Sequence, residues 1–367
     1  MSEETVPDLT KKQKLDLMKE AVKKIGEFSF RSSGSGGLNN QFQNFFTGID
    51  KFKRNMLSPN SEHSGMTFIT RPKLNLTSSA LRQSSKMLAL DTQDVSDVQF
   101  MIRCLLDTRF ARKELLSKAG QSPLLDMRNP FNIPLCNALV GVSGWPDIVL
   151  ETNTTEGGFH SEDQTVPIGS DNLNKTYDLT LTFEDIQGGV IASIFDFWLE
   201  SMRCLVKGIM IPYKEDIDEN RLCFTVSIYR FVLDPTLKYV VKYAKATGCY
   251  PISLPTGGFF NVNENEVTKA DCAKFSIPFK VNKIEYNKPE VLRDFNTLVE
   301  RYSPREATED TMEASISLLN ATNIIPIAPQ WNWIGVPYIY TSEKERGIQL
   351  QYRQLRTEEE RDIEDGL

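Results

Sequence analysis

The chain has 367 residues, 40% hydrophobic and 25% charged, with a formal net charge of −7. That is ordinary globular composition, long enough for two domains or for one domain with extensions. The acidic balance argues against a generic nucleic-acid binder, which would carry a basic surface.

Residues 10–28 predict an amphipathic helix, with Leu15, Met18, Val22 and Ile25 at 3-4-3 spacing among lysines. So narrow a stripe docks on a partner or on the rest of the chain. RSSGSGGLNNQ (31–41) is a flexible linker by composition, and a second polar break follows at 58–65. Residues 1–65 therefore read as an arm, and a mixed core is expected over 66–302. VSDVQFMIRCLLD (95–107) reads as a buried helix. Pro123, Pro130, Pro134 and Pro146 punctuate 122–147. Proline removes a donor and fixes φ, so an irregular apolar segment is expected there, neither helix nor strand. Residues 146–172 carry six acids and no Lys or Arg, with Gly157, Gly158 and Gly169, and predict a long hairpin or an exposed loop.

YDLTLTF (177–183) alternates perfectly and predicts a half-buried strand. VIASIFDFWLESMRCLV (190–206) sets Ile191, Ile194, Phe195, Trp198, Met202 and Leu205 at helical spacing. KGIMIPYKEDIDENR (207–221) reads as a connecting loop with an acidic tip. LCFTVSIYRFVLD (222–234) predicts a long strand whose apolar phase shifts at Tyr229, by a bulge or by burial of both faces. LKYVVKYA (237–244) is a further strand or a turn of helix. AKFSIPFKV (273–281) alternates again, with Pro278 off phase, which predicts an edge or a bulge. KPEVLRDFNTLVERY (288–302) predicts a proline-started helix. The order of elements argues for an α+β fold on an antiparallel sheet or sandwich. Residues 303–367 form an extension: 323–341 is apolar, aromatic and proline-broken and must pack on something. The last eleven residues hold six acids and one Arg and read as a solvated tail.

The residues offer little chemistry. No apolar run approaches the roughly 20 residues of a membrane span, and the N-terminus lacks the pattern of a secretory signal. The six cysteines form no CxxC pair and read as reduced thiols without disulfides. Only His63 and His160 are present, both in polar surroundings. His160 has Glu156, Glu162 and Asp163 nearby, but a solvated loop histidine is the favoured reading. Phosphate-binding glycine motifs, HExxH and GxSxG are absent. Glu184–Asp185 and Asp216–Asp218 are the carboxylate pairs available for hydrolysis, and both read as solvated turn residues. Trp331 and Trp333 read as packing or interface residues rather than a sugar platform. No catalytic, cofactor or metal site is expected. GCYPISLPTGGFFN (248–261), with three glycines, two prolines and paired phenylalanines between apolar runs, reads as a loop that is either the lip of a site or an assembly surface.

Residues 171–302 resemble the tail-tube proteins of contractile-tailed bacteriophages. The resemblance rests on YDLTLTF, the helix with Phe197–Trp198, Tyr213–Lys214 after it, the long strand region from 225, the turn at Gly248, Tyr250 and Pro251, and AKFSIPFKV. It implies an antiparallel β-sandwich or barrel of tail-tube type with flanking helices, to which the arm and the C-terminal extension are added. It implies a virion structural protein, a subunit of a tail tube or of a ring at the baseplate or tail end. The ring would be hexameric and would pass DNA through its lumen without specific binding. Sheath or baseplate proteins would be its partners, with no membrane, in the virion tail and, during assembly, in host cytoplasm. A virion-associated carboxylate hydrolase and a capsid- or sheath-associated protein are the alternatives. Expected contact residues are Tyr250, Gly257, Gly258, Phe259, Phe260, Glu156, Glu162, Asp163, Trp331 and Trp333.

Overall fold

The computed structural model describes residues 64–92, 94, 97–111, 129–158, 162–171, 175–185, 188–219, 221–233, 239–257, 274–302, 336–342 and 347–353. The expected N-terminal helix, linker and arm, His63, His160, the 323–335 stretch and the acidic tail lie outside them.

In chain order the strands are β1 (Ser64–Ile69), β2 (Leu139–Ser143), β3 (Leu150–Thr154), β4 (Thr165–Asp171), β5 (Tyr177–Glu184), β6 (Val226–Leu233), β7 (Val240–Pro251), β8 (Lys274–Val281), β9 (Lys283–Tyr286), β10 (Val336–Ser342) and β11 (Gly347–Arg353). The helices are α1 (Ser78–Leu81), α2 (Val98–Leu106), α3 (Ile133–Ala138), α4 (Val190–Val206), α5 (Lys214–Asp218) and α6 (Pro289–Tyr302). The fold is α+β with antiparallel pairing. One sheet runs β1-β6-β7-β8-β5-β2 with β9 also on β7, and β3–β4 and β10–β11 are separate hairpins.

Alternation builds β5. Leu179, Leu181 and Phe183 are buried, and the other face carries Thr182 bonded to Ser276 at 2.8 Å and Asp178 paired with Lys280 at 2.6 Å. Helix α4 packs on that apolar face. Its first turn is held by Asp185, whose Oδ1 accepts from Ile191 N at 3.0 Å. It ends at Gly208 in the left-handed region (φ 70°), where Gly208 N bonds Leu205 O and Ile209 N bonds Cys204 O. That pair of hydrogen bonds is the Schellman arrangement, which satisfies the last free carbonyls.

Strand β7 serves both halves of the sheet. Ala244–Thr247 pair with β9, and Tyr250–Pro251 pair with β8 in the same continuing register. Between them Gly248 lies opposite Asn282 with φ 69°, and a Cβ there would fall 2.6 Å from Asn282 Nδ2. A left-handed residue in a strand costs any side chain, so glycine permits the kink. Residues 248–251 are thus strand, not the start of a loop as the glycines and proline suggested.

Two apolar clusters flank the sheet. One joins α2, α4, β5, β8 and the starts of β6 and β9 around Trp198, Phe195 and Phe279. The other joins Phe68, Tyr229, Phe231 and Tyr243 to Phe295 of α6 and to β10–β11. The phase shift in β6 reflects burial of both faces: Val226 and Ile228 face the first cluster, and Tyr229, Phe231 and Leu233 the second. The accompanying bulge lies where Val226 pairs Cys249 and Ile228 pairs Ala246.

The proline-punctuated stretch departs from expectation. It holds α3 and β2 because Asn132 Oδ1 accepts from Leu135 N at 3.3 Å and Pro134 sits in the first turn, where no donor is needed. Strand β8 is interior, between β7 and β5. Pro278 is nevertheless at a local edge, because the β7 ladder ends at Pro251–Phe279 and only Ile252 N reaches Pro278 O, at 3.0 Å. The hairpin β10–β11 closes over α6, where Asn296 bonds both the amide and the carbonyl of Ile339, at 3.0 and 2.8 Å.

Candidate assembly surfaces

The β3–β4 hairpin is a two-stranded ribbon whose described side chains are nearly all exposed. Thr152, Asn153 and Thr154 pair with Pro167, Val166 and Thr165. Near its turn, Thr155 N bonds Gln164 O at 2.9 Å and Gly158 N bonds Glu162 O at 3.0 Å. The structure brings the predicted residues Glu156, Glu162 and Asp163 together at this end, all exposed. The base of the ribbon is apolar and uncovered, with Ile148 73%, Leu150 58% and Ile168 61% exposed. An isolated two-stranded hairpin is marginal in water and gains no core from these residues. Its expectation as a hairpin is met. Composition did not reveal the apolar base, because the acids and glycines dominate residues 146–172.

A second surface lies beside the end of β7. A groove of about 770 Å³ is lined by Met202, Val206, Leu222, Phe224, Tyr250 and Ile252, with Lys86 and Asp196 among its polar residues. Lys86 and Asp196 are ion-paired at 2.6 Å. Tyr250 is half-buried, edge-on to Phe224 at 5.6 Å. Behind this wall Trp198 Nε1 donates to Phe224 O at 3.1 Å. Val206 is 85% exposed, and Ile211, Leu222 and Ile252 are exposed as well. Gly257 ends the described segment and is exposed. Gly258, Phe259 and Phe260 lie outside the described residues, as do Trp331 and Trp333.

The carboxylates considered for hydrolysis have structural occupations or lie open to solvent. Glu184 and Asp218 are exposed, and Asp185 accepts from Ile191 N in the first turn of α4. Asp216 is a correction: it is buried, and its Oδ2 accepts from Arg109 at 3.3 Å. A charged turn sequence gave no sign that α5 folds back onto Arg109. Arg109 also pairs with Glu215 and lies over the Tyr213 ring, 4.3 Å from its centroid.

Beside it, Asp107 is fully buried and accepts from Leu76 N at 2.9 Å, Arg109 N and Phe110 N at 3.0 Å, and Tyr213 Oη at 2.7 Å. Burial raises the Asp107 carboxyl above its usual range against those bonds, and burial next to Asp107 raises the Tyr213 phenol. This network ties α2, residues 73–77 and α5 together. Arg103 is also buried, over the Phe110 ring at 3.7 Å and paired with Asp91 at 3.3 Å. Neither group shows in the sequence, because each polar member sits singly in an apolar or loop context.

Burial pushes the Cys223 thiol up to about 11 and the Cys136 thiol to about 12. Cys104, Cys136, Cys204, Cys223 and Cys249 are not in disulfides. Among the described residues no group of three His, Cys, Asp or Glu could hold a metal ion. No described helix is long and apolar enough to cross a membrane.

The family model described as "Putative phage tail tube protein" matches residues 10–346. Among solved structures, the cap that terminates the anti-feeding prophage tube is similar with a TM-score of 0.26 at 16% identity, over 40% of this chain and 78% of that one. The sheath–tube complex of the PVC extracellular contractile injection system, in its extended state, gives 0.24 at 16% identity over the same shares. The sheath/tube terminator of that system, also extended, gives 0.23 at 12% identity, over 40% and 84%. No curated protein matches the chain.

Proposed function

Since the chain belongs to the phage tail tube protein family, we propose that this virion structural protein is the subunit of a ring in a contractile-type tail. The ring is a tube segment or a ring at the baseplate or tail end, hexameric as the family resemblance implies, and DNA passes through it without specific binding. The two halves of the sheet, with their flanking helices, are read as the sandwich of the tube type. Residues 1–65 and 303–367 are read as additions to it, and sheath or baseplate proteins as its neighbours. No catalytic work is assigned.

One observation carries the reading. The β3–β4 ribbon leaves Ile148, Leu150, Val166 and Ile168 exposed, uncovered by the other described residues. Burying such side chains is worth roughly 1.5–3 kcal/mol each, and a closed ring repeats the contact at every interface. The groove beside Tyr250 and the segment running through Gly257 to Phe259 and Phe260 form a second contact in this reading. Trp331 and Trp333 belong to a third. Negative-stain electron microscopy and sedimentation of the full chain test it. Rings or tubes are expected, and a monodisperse monomer at high concentration would refute it.

A further inference from the structure

Among the described residues, the face of β1, β6 and β7 that lies away from α6 is covered only over part of its length. Ile69, Ile228, Ala246 and Ile284 belong to the core cluster with α4. Further along, the cross-strand pairs Thr67–Arg230, Gly65–Val232, Arg230–Ala244, Val232–Lys242 and Ala244–Tyr286 continue the same face. Here Lys242 is exposed, and Gly65, Arg230, Val232 and Tyr286 are half-buried.

Arg230 is held in place on this face. Its Nη1 donates to Thr67 Oγ1 at 2.8 Å. Its guanidinium lies over Gly65, where any Cβ would collide with it. Glycine in a strand often marks close approach by another group, and here it makes a bed for the cation. Most of the donor fork is left unused. Burial lowers the Arg230 pKa, and no neighbouring charge acts against that. Among the described residues, no carboxylate ion-pairs with Arg230 or Lys242. A half-buried cation without an anion is costly unless a partner supplies one.

We propose that this open half-face is the docking site for the acidic end of the β3–β4 ribbon of a second copy, with Arg230 and Lys242 receiving Glu156 and Asp163. The proposal rests on the ring reading and names the surface that the ribbon meets. The ribbon supplies the complementary charge, since residues 146–172 hold six acids and no cation. Glu156 and Asp163 are exposed and, among the described residues, ion-pair with no cation of their own chain. A carboxylate meets a planar guanidinium in paired hydrogen bonds, which fixes orientation as well as adding energy. The contact joins two different patches, so repetition of it closes a ring or extends a filament. The lysine-rich segment 10–28, with six Lys and three acids, has the wrong charge for the same site. Among the described residues, a polyanion such as DNA would meet two cations on this face, Arg230 and Lys242.

The test uses the full chain and charge reversal. Arg230→Glu with Lys242→Glu should raise the concentration needed for assembly at least about tenfold, the equivalent of 1.4 kcal/mol. Glu156→Arg with Asp163→Arg should do the same. The four substitutions together should restore assembly toward the parent value. Lys242→Glu alone changes an exposed residue and should weaken assembly without altering the circular dichroism spectrum or the melting temperature. Failure of the parent to assemble would sink the ring reading itself. A parent that assembles, with folded reversal variants that assemble equally well, would overturn only the docking site. Two folded, defective reversals that fail to rescue each other would also overturn it. So would normal assembly of Arg230→Glu with Lys242→Glu accompanied by lost binding of duplex DNA, since the face would then serve phosphate.

Discussion

Replacing Trp198 by alanine should remove the centre of the larger core. The side chain is fully buried, stacked on Phe195 at 6.0 Å between centroids and set edge-on to Phe279 at 6.1 Å. Truncating a large buried aromatic to alanine costs about 3–5 kcal/mol, because transfer energy is lost and a cavity remains. A domain is stable by roughly 5–15 kcal/mol, so the loss is a large fraction of the total. Trp198→Phe separates packing from hydrogen bonding. It keeps most of the ring contacts but removes the indole N–H, leaving Phe224 O without that donor, at a cost of about 1–3 kcal/mol. Urea unfolding followed by far-ultraviolet circular dichroism measures both, provided the slopes match the parent's. The alanine variant should be the less stable of the two. If it unfolds within about 1 kcal/mol of the parent, Trp198 does not hold α4 to the sheet, and the assignment of the core is wrong.

Four further outcomes are expected. Gly248→Ala should destabilise the fold by at least about 1–2 kcal/mol, since it places a side chain at a left-handed φ and against Asn282; urea titration reads the loss. Burial raises the Asp107 pKa, so the stability this group contributes is full below the ordinary carboxylate value and lost as pH rises through the raised one. Asp107→Asn should be less stable overall, because its amide opposes donors that the carboxylate accepts, but it should lack that fall; thermal melts across acidic pH compare the two. Deleting residues 152–168 should leave a folded subunit that fails to assemble, and parent assembly should weaken with salt, since exposed charges are screened over about 10 Å at 0.1 M. Phe259→Ser with Phe260→Ser should keep a native spectrum and lose rings or tubes under the electron microscope.

Local periodicity made much of the fold legible. The alternation of Leu179, Leu181 and Phe183 and the helical spacing of Ile191, Ile194 and Trp198 each describe one face against one core. The doubled phase in β6 was legible too, although only the structure distinguishes which cluster each face meets. Prolines misled over α3 and β2. Pro134 occupies a first helical turn, where its missing donor costs nothing, and the cap that sets this is the neighbouring Asn132. Asp216 misled for a different reason. Its burial depends on Arg109, distant in sequence, and a charged turn looks alike whether or not a cation closes over it. The acidic end of the β3–β4 ribbon was legible as a charged segment. Arg230 was not, because its isolation is set by what stands across three strands from it.

The kink at Gly248 also has a mechanical consequence. The backbone of β7 passes through it unbroken, with β6 along one side and β9 then β8 along the other. A pull along that strand loads its interstrand hydrogen bonds in shear, many at once, instead of peeling them apart in turn. The two halves of the sheet are thereby joined by covalent backbone as well as by packed side chains. Load applied along β7 is shared between its backbone and the hydrogen bonds to β6, β8 and β9.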